Sequence, residues 1–232
     1  MRKATLKVRT VALGLFLMLA VTACVQSIPD RTEAESLVAR ARWTVESFER
    51  DPNDPAPLFR AELKNARGVL VFPNLFKGAL VFGGEGGNGV LLARNKAGEW
   101  SYPAFYTMGS GSFGFQAGAQ SSEVVLILRN QKAVEAVVYN QGKFGGDIQV
   151  TFGTLGAGVQ GSTTTNLGAD IVGVARSVGL YAGFSLEGAM LVRRNDLAGA
   201  YYEPGATPAQ IVFERRYSNP DADPLRRALA LY

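Results

Sequence analysis

The chain has 232 residues, with 24 Lys and Arg against 20 Asp and Glu, one cysteine and no histidine. Four of the basic residues, Arg2, Lys3, Lys7 and Arg9, precede residue 24 and no acidic residue does. The remainder is therefore formally neutral and lacks the basic surplus on which nucleic-acid affinity rests. The missing histidine excludes Ser-His-Asp and Cys-His catalysis and His-ligated zinc, and a lone cysteine excludes an internal disulfide.

The basic start leads into an apolar run over residues 11–20 and then into Val21-Thr22-Ala23-Cys24. A charged start, a short apolar stretch and small residues before a cleavage point make a secretory signal, too short to span a bilayer comfortably. The four residues ending at Cys24 resemble a bacterial lipobox. That resemblance implies cleavage after residue 23, a diacyl (palmitate-type) modification of the Cys24 sulfur and acylation of the new amino terminus. Two or three acyl chains exceed the one-chain limit for stable anchoring. Val25 stands where Asp would signal inner-membrane retention, so the expected location is the periplasmic face of the outer membrane. The expected organisation is a lipoprotein signal peptide over 1–23, a lipidated tether over 24–31, and one domain over 32–232.

Glycine divides that domain. Of 27 glycines, 26 fall between Gly68 and Gly205. Glycine is costly in helices and useful in turns, bulges and close backbone approaches. Helices are thus expected over 32–66, a Gly-rich β body over 68–205 and a helical tail over 206–232. Thr32 and Glu35 form a capping-box pattern, followed by Leu37, Ala41, Val45 and Phe48 at helical spacing. A break at Pro52 and Pro55 precedes a second helix over 56–66, ended by Gly68. Short apolar runs at 69–72, 79–82 and 90–92 read as strands, with the glycines at 84–89 as a hairpin turn. Residues 113–119 alternate with period two, and 124–128 are wholly apolar, as in a buried strand. A short helix is predicted over 130–138, strands at 147–152, 171–174, 180–184 and 189–193, a brief helix from Thr207 to Phe213 and a tail helix from Asp223. The predicted class is α+β: an antiparallel Gly-rich sandwich or partly closed barrel with flanking amphipathic helices.

Three G-x-G-x-x-G hits, at 84–89, 109–114 and 156–161, read as turn glycines rather than a dinucleotide fingerprint, because the first is followed by a strand and not a helix. Glu85 and Glu187 could act as a hydrolytic carboxylate pair only if the fold brought them together; structural carboxylates are the plainer reading. No cofactor or metal is expected. Arg60, Lys64 and Arg67 fall at i, i+4 and i+7, one basic helical stripe with Phe59 and Leu63 as apolar neighbours, and Lys77 follows. Such a stripe beside a lipid anchor suits anionic headgroups, at about 1 kcal/mol per basic group; a solvated helix face is the other reading. The aromatics at 100–106, 181 and 201–202 read as core and rim of a sheet, or as the lining of a lipid pocket.

Ordered blocks carry a wider resemblance: residues 66–73, 83–91, 100–105, 114–120 and 179–189, with Asp196 and Tyr201-Tyr202 closing it. Over roughly 35–203 these resemble the SYLF domain family. Val178 departs from the lysine that commonly precedes the family's most distinctive block. Eukaryotic members bind phosphoinositide membranes through an amphipathic helix and basic residues, and some bind actin; bacterial members are mostly secreted or lipid-anchored. The resemblance implies phospholipid binding without enzymatic activity, with Arg60, Lys64, Arg67 and Lys77 as headgroup contacts. The rival expectation is a structural module that binds a periplasmic protein partner while only the acyl anchor meets the membrane.

Overall fold

The computed structural model describes residues 30–50, 56–79, 82–113, 118–139, 142–143, 150–155, 170–179 and 189–231. The expected leader, Cys24 and the tether up to residue 29 lie outside these, as do the predicted strand at 180–184 and the Gly156–Gly161 motif. In chain order the elements are α1 (Arg31–Arg50), α2 (Ala56–Asn65), β1 (Gly68–Ala79), β2 (Phe82–Ala93), β3 (Ala104–Phe113), β4 (Gly118–Leu128), α3 (Gln131–Tyr139), β5 (Gly142–Lys143), β6 (Val150–Leu155), β7 (Ile171–Gly179), β8 (Met190–Arg193), α4 (Asn195–Tyr201), α5 (Pro208–Val212), a 3-10 turn (Pro220–Ala222) and α6 (Asp223–Leu229).

The strands form one sheet in the order β5-β8-β3-β2-β1-β4-β7-β6. Every pairing is antiparallel except β6 with β7. The class is the expected α+β. Among the described residues there is a single sheet, not closed into a barrel, rather than the two packed sheets of a sandwich. The reason is that helices, not a second sheet, cover it. Thr44 of α1 donates to Glu123 at 3.0 Å and Arg176 bonds Ser47, which places α1 on the face of the odd-numbered β4 residues. Tyr106 reaches the carbonyl of Val137 in α3, over the opposite face. Strand residues between the two layers are buried on both sides, and Val124 to Leu128 are all fully buried. A continuous apolar run is what a doubly covered strand requires.

Helix ends follow local chemistry. Asp30, not Thr32, caps α1: its Oδ1 accepts from the Glu33 amide at 2.8 Å, so the helix starts a turn-fraction earlier than the Thr32 pattern predicts. Asn130 caps α3 the same way, through Ala133 N at 2.8 Å. Thr207 and Gln210 form a full capping box on α5, and α6 buries Leu225, Ala228 and Leu229 as expected. The period of α4 was not apparent in the sequence; it is a seven-residue helix that buries Leu197, Ala198 and Tyr201.

The glycines of 84–89 do not form a turn. They lie inside β2, paired with β1 on one side and β3 on the other. Strand β1 is irregular between Phe72 and Leu75, and there it crowds β2. A Cβ on Gly87 would stand 2.1 Å from the Asn74 carbonyl oxygen, and one on Gly89 would stand 2.4 Å from the Phe72 ring. Glycine is needed here for backbone approach rather than for a left-handed turn.

Candidate functional site

Helix α2 presents Arg60 and Lys64 to solvent, while Phe59 and Leu63 turn into the core. The Phe59 ring lies 5.7 Å from that of Phe48 in α1. Glu62, between the two faces, takes Arg129 at the end of β4 in a two-pronged ion pair, with Nε to Oε2 at 2.7 Å. That clamp aligns α2 along one end of the sheet. Arg67 follows at the junction with β1. Its backbone is bonded on both sides, to the Leu128 carbonyl and from the Arg94 amide, each at 2.8 Å, and its side chain is exposed.

At this end the structure adds cations that the stripe did not include. The Arg94 guanidinium lies over the Trp100 ring at 4.5 Å, and its NH1 donates to the Lys64 carbonyl at 2.9 Å. That bond occupies one of the carbonyls left open at the C-terminus of α2. Burial, and secondarily the Arg67 charge, hold the Arg94 pKa below its ordinary value. Residues 94 and 100 bridge across a tight turn, with Lys96 at its tip and Gly98 at φ 87. Arg215 comes from the segment after α5. Among the described residues it is the one non-glycine with a left-handed backbone, at φ 53. Its NH2 donates to the Glu99 carbonyl at 2.6 Å, and burial lowers its pKa against the opposing effect of Glu99.

Arg67, Arg94, Lys96 and Arg215 line one cleft of about 610 Å³. Gln131 and Glu135 of α3 and the Phe213 ring complete it, and Phe213 stacks on Tyr139 with centroids 5.5 Å apart. In two further clefts arginines are paired with carboxylates. One of about 470 Å³ has Arg226 bonded to Asp223, and one of about 330 Å³ has Arg42 and Arg50 bonded to Glu46.

The four expected contact residues are therefore not all neighbours. Arg60, Lys64 and Arg67 lie together at the cleft end of the sheet. Lys77 is ten residues further along β1, its backbone paired with Glu85 and Gln120, about 30 Å away at the ordinary strand rise. Arg94, Lys96 and Arg215 escaped the sequence reading because they join Arg67 only through the β2 hairpin and the chain's return after α5. The one local hint was the Asn95-Lys96-Ala97-Gly98 turn. Glu85 lies within β2 and Glu187 lies outside the described residues. Among the described residues, no group of three or more His, Cys, Asp or Glu side chains could hold a metal ion, and no helix is long and apolar enough to cross a membrane.

A family model described as Ysc84, Las17-binding protein actin regulator, matches residues 109–232, more than half the chain and overlapping the SYLF-like region read from the sequence. The chain is 31% identical over 170 residues to LAS seventeen-binding protein 3 of Saccharomyces cerevisiae, covering 72% of this chain and 37% of that protein. It is 33% identical over 152 residues to SH3 domain-containing YSC84-like protein 1 of Mus musculus, covering 65% of this chain and 44% of that protein. The Xenopus laevis protein of the same name is 31% identical over 179 residues, 75% of this chain and 52% of its own length. This chain thus spans between about a third and a half of these relatives, which are named for Las17 binding or an SH3 domain rather than for a reaction. On the family match and these identities, the chain belongs to the Ysc84 (SYLF) family.

Proposed function

We propose that this protein is a non-enzymatic, lipid-anchored protein of a bacterial envelope whose Ysc84 domain binds anionic phospholipid at a membrane surface. The observation that carries the reading is the convergence of Arg67, Arg94, Lys96 and Arg215, against the single carboxylate of Glu135, beside the exposed Arg60 and Lys64. Cys24 supplies the anchor, at the periplasmic face of the outer membrane. The basic end of the sheet supplies electrostatic contact, at about 1 kcal/mol per cation close to the surface.

The buried core of the described residues starts at Ala34, so a chain of residues 24–232 retains it. Unacylated, that chain should sediment with phosphatidylglycerol vesicles at low salt and not with phosphatidylcholine vesicles, and salt should release it. Charge reversal at Arg60, Lys64 and Arg67 together should abolish retention. Equal sedimentation with both lipids would end the lipid reading. Mass spectrometry of the native protein tests the anchor, since an unmodified Cys24 or an uncut leader would remove it.

A second reading, a protein-interaction module, has its own observation. Near the short β5 edge, Met190 and Val192 of β8 are 49% and 45% exposed, and Tyr139, whose carbonyl accepts from Arg193, is exposed as well. The relatives' names point to protein partners. Under this reading the triple charge reversal leaves function intact.

A further inference from the structure

The cleft at the Arg67 end holds charge that the rest of the domain leaves uncompensated. Several arginines elsewhere have carboxylate partners, among them Arg129 with Glu62, Arg176 with Glu123, Arg194 with Asp196 and Arg226 with Asp223. Among the described residues, Arg67, Arg94 and Lys96 make no salt bridge. Arg215 has only a long one, 3.7 Å to the exposed Glu99. One acidic side chain, Glu135, lines the cleft against four cations. Like charges in a concave and partly desolvated place repel one another, and Arg94 carries the cost of both burial and the Arg67 charge. The Arg94 Nε is buried without an acceptor among the described residues. Arg215 is held at φ 53, a conformation that a non-glycine residue keeps only under constraint and that is found disproportionately at ligand sites.

We infer that this cleft seats a phosphate monoester in its doubly charged form. The Arg67, Arg94 and Arg215 guanidinium groups and the Lys96 ammonium serve the phosphoryl oxygens, and the Phe213 wall meets the esterified carbon skeleton. The inference rests on the cationic site of the proposed function and narrows its ligand. A monoester carries two charges and three terminal oxygens on one atom, which suits forked donors arriving from several elements. A diester carries one charge and two free oxygens, and both of its substituents would have to leave a cleft whose size is that of a small-ligand site, about 300 to 1,000 Å³. Four cations and one carboxylate leave a surplus of three charges, which a dianion offsets further than a monoanion does. The chain has no histidine, the side chain that ordinarily changes charge between pH 5 and 8. The charged groups facing the cleft are Arg67, Arg94, Lys96, Arg215, Glu135 and, beside Arg215, Glu99. A rise in affinity through about pH 6 therefore reports the second ionisation of the phosphate.

Two tryptophans are present, Trp43 and Trp100, and Trp100 lies beneath Arg94. The full-length Trp43→Phe chain in non-ionic detergent thus carries one tryptophan, stacked beneath one of the cleft's cations. It is titrated at constant ionic strength with inorganic phosphate, glycerol 3-phosphate and dimethyl phosphate, and with micelles doped with phosphatidic acid or phosphatidylglycerol. Calorimetry gives a second readout. The expected result is saturation by the monoesters and none by dimethyl phosphate, with affinity rising several-fold across about pH 5.5 to 7.5. Arg215→Gly and Arg67→Gln should each weaken binding roughly tenfold or more. Glycine accepts φ 53 freely, so loss of binding in Arg215→Gly with unchanged thermal unfolding is not a folding effect. Saturation by phosphatidic acid alone assigns a lipid source, by glycerol 3-phosphate alone a soluble one, and by both either source. Absence of saturation by every monoester in both readouts, equal binding of dimethyl phosphate, or unchanged affinity in both variants overturns the inference. Retention on anionic vesicles without monoester saturation overturns this inference alone. Monoester saturation without vesicle retention overturns the proposed function alone.

Discussion

Alanine at Gly89 tests whether residues 84–89 are a strand or a turn. In a turn, alanine at a left-handed position costs about 1–2 kcal/mol, and elsewhere almost nothing. In the structure the new Cβ would lie 2.4 Å from Phe72 Cδ1 and 2.6 Å from the Val71 carbonyl oxygen. Carbon and carbonyl oxygen ordinarily meet at about 3.3 Å, and two carbons at about 3.5–4.0 Å. Phe72 is fully buried and Val71 belongs to a strand bonded on both sides, so neither can swing clear. The neighbouring strand must move by about 1 Å. That costs about 1–3 kcal/mol in overpacking and about 1 kcal/mol for each ladder hydrogen bond it stretches, or about 3–5 kcal/mol together. In a domain of this size the thermal midpoint should fall by about 6–20 °C. Urea unfolding of Gly89→Ala, with Gly87→Ala as a second collision and Gly109→Ala as the control, measures this. The nearest atom to a Cβ on Gly109 is 3.9 Å away, so that variant should stay within about 0.5 kcal/mol of the parent. If Gly89→Ala unfolds within about 1 kcal/mol of the parent, the β1–β2 register and its bulge are misplaced.

Further expectations concern caps, clamps and acid. Asp30→Ala should cost about 1 kcal/mol as the loss of the α1 cap, whereas Thr32→Ala, exposed in the first turn, should be near neutral; urea midpoints separate the two. The Glu62–Arg129 pair has side chains 14% and 23% exposed, and removing either partner should cost about 1–3 kcal/mol, with a double-mutant cycle showing that the two losses are not additive. Bonds from Arg194 lower the Asp196 pKa, and bonds from Arg226 lower that of Asp223. A depressed carboxylate contributes stability that is present above its unfolded pKa, about 3.9, and lost as pH falls through the folded value. Thermal midpoints should therefore drop below about pH 4, and Asp196→Asn with Asp223→Asn should flatten that drop. An unchanged acid profile in the double variant would contradict these two assignments.

Much of the element map follows from local pattern. The α+β class, both amphipathic helices at the front, the buried strand at 124–128, the helix after Asn130 and the Pro-led helices of the tail are each legible because one residue's neighbours within a turn or two decide them. Capping chemistry and apolar period act over three or four positions, so Asn130 and Thr207 declare their helices and Leu225, Ala228 and Leu229 declare a buried face. The family was legible too, from ordered blocks rather than from any single motif.

What only the tertiary structure decided is which distant segments meet. Glycine at 84–89 reads as a turn because glycine permits turns, but it is required by a bulge that intrudes from β1, ten or more residues earlier. The parallel placement of β6 on β7 leaves no local mark, since both directions share a period of two. A basic stripe on one helix is visible to helical spacing, whereas Arg94, Lys96 and Arg215 reach Arg67 only when a hairpin and the segment after α5 fold back to it. Lys77, close to Arg67 along the chain, is carried to the far end of the same strand because an extended chain advances about 3.3 Å per residue. Spacing along a chain reports neighbours on one element; the gathering of charge into a cleft depends on pairings between elements, and those are set by the packing of the whole sheet.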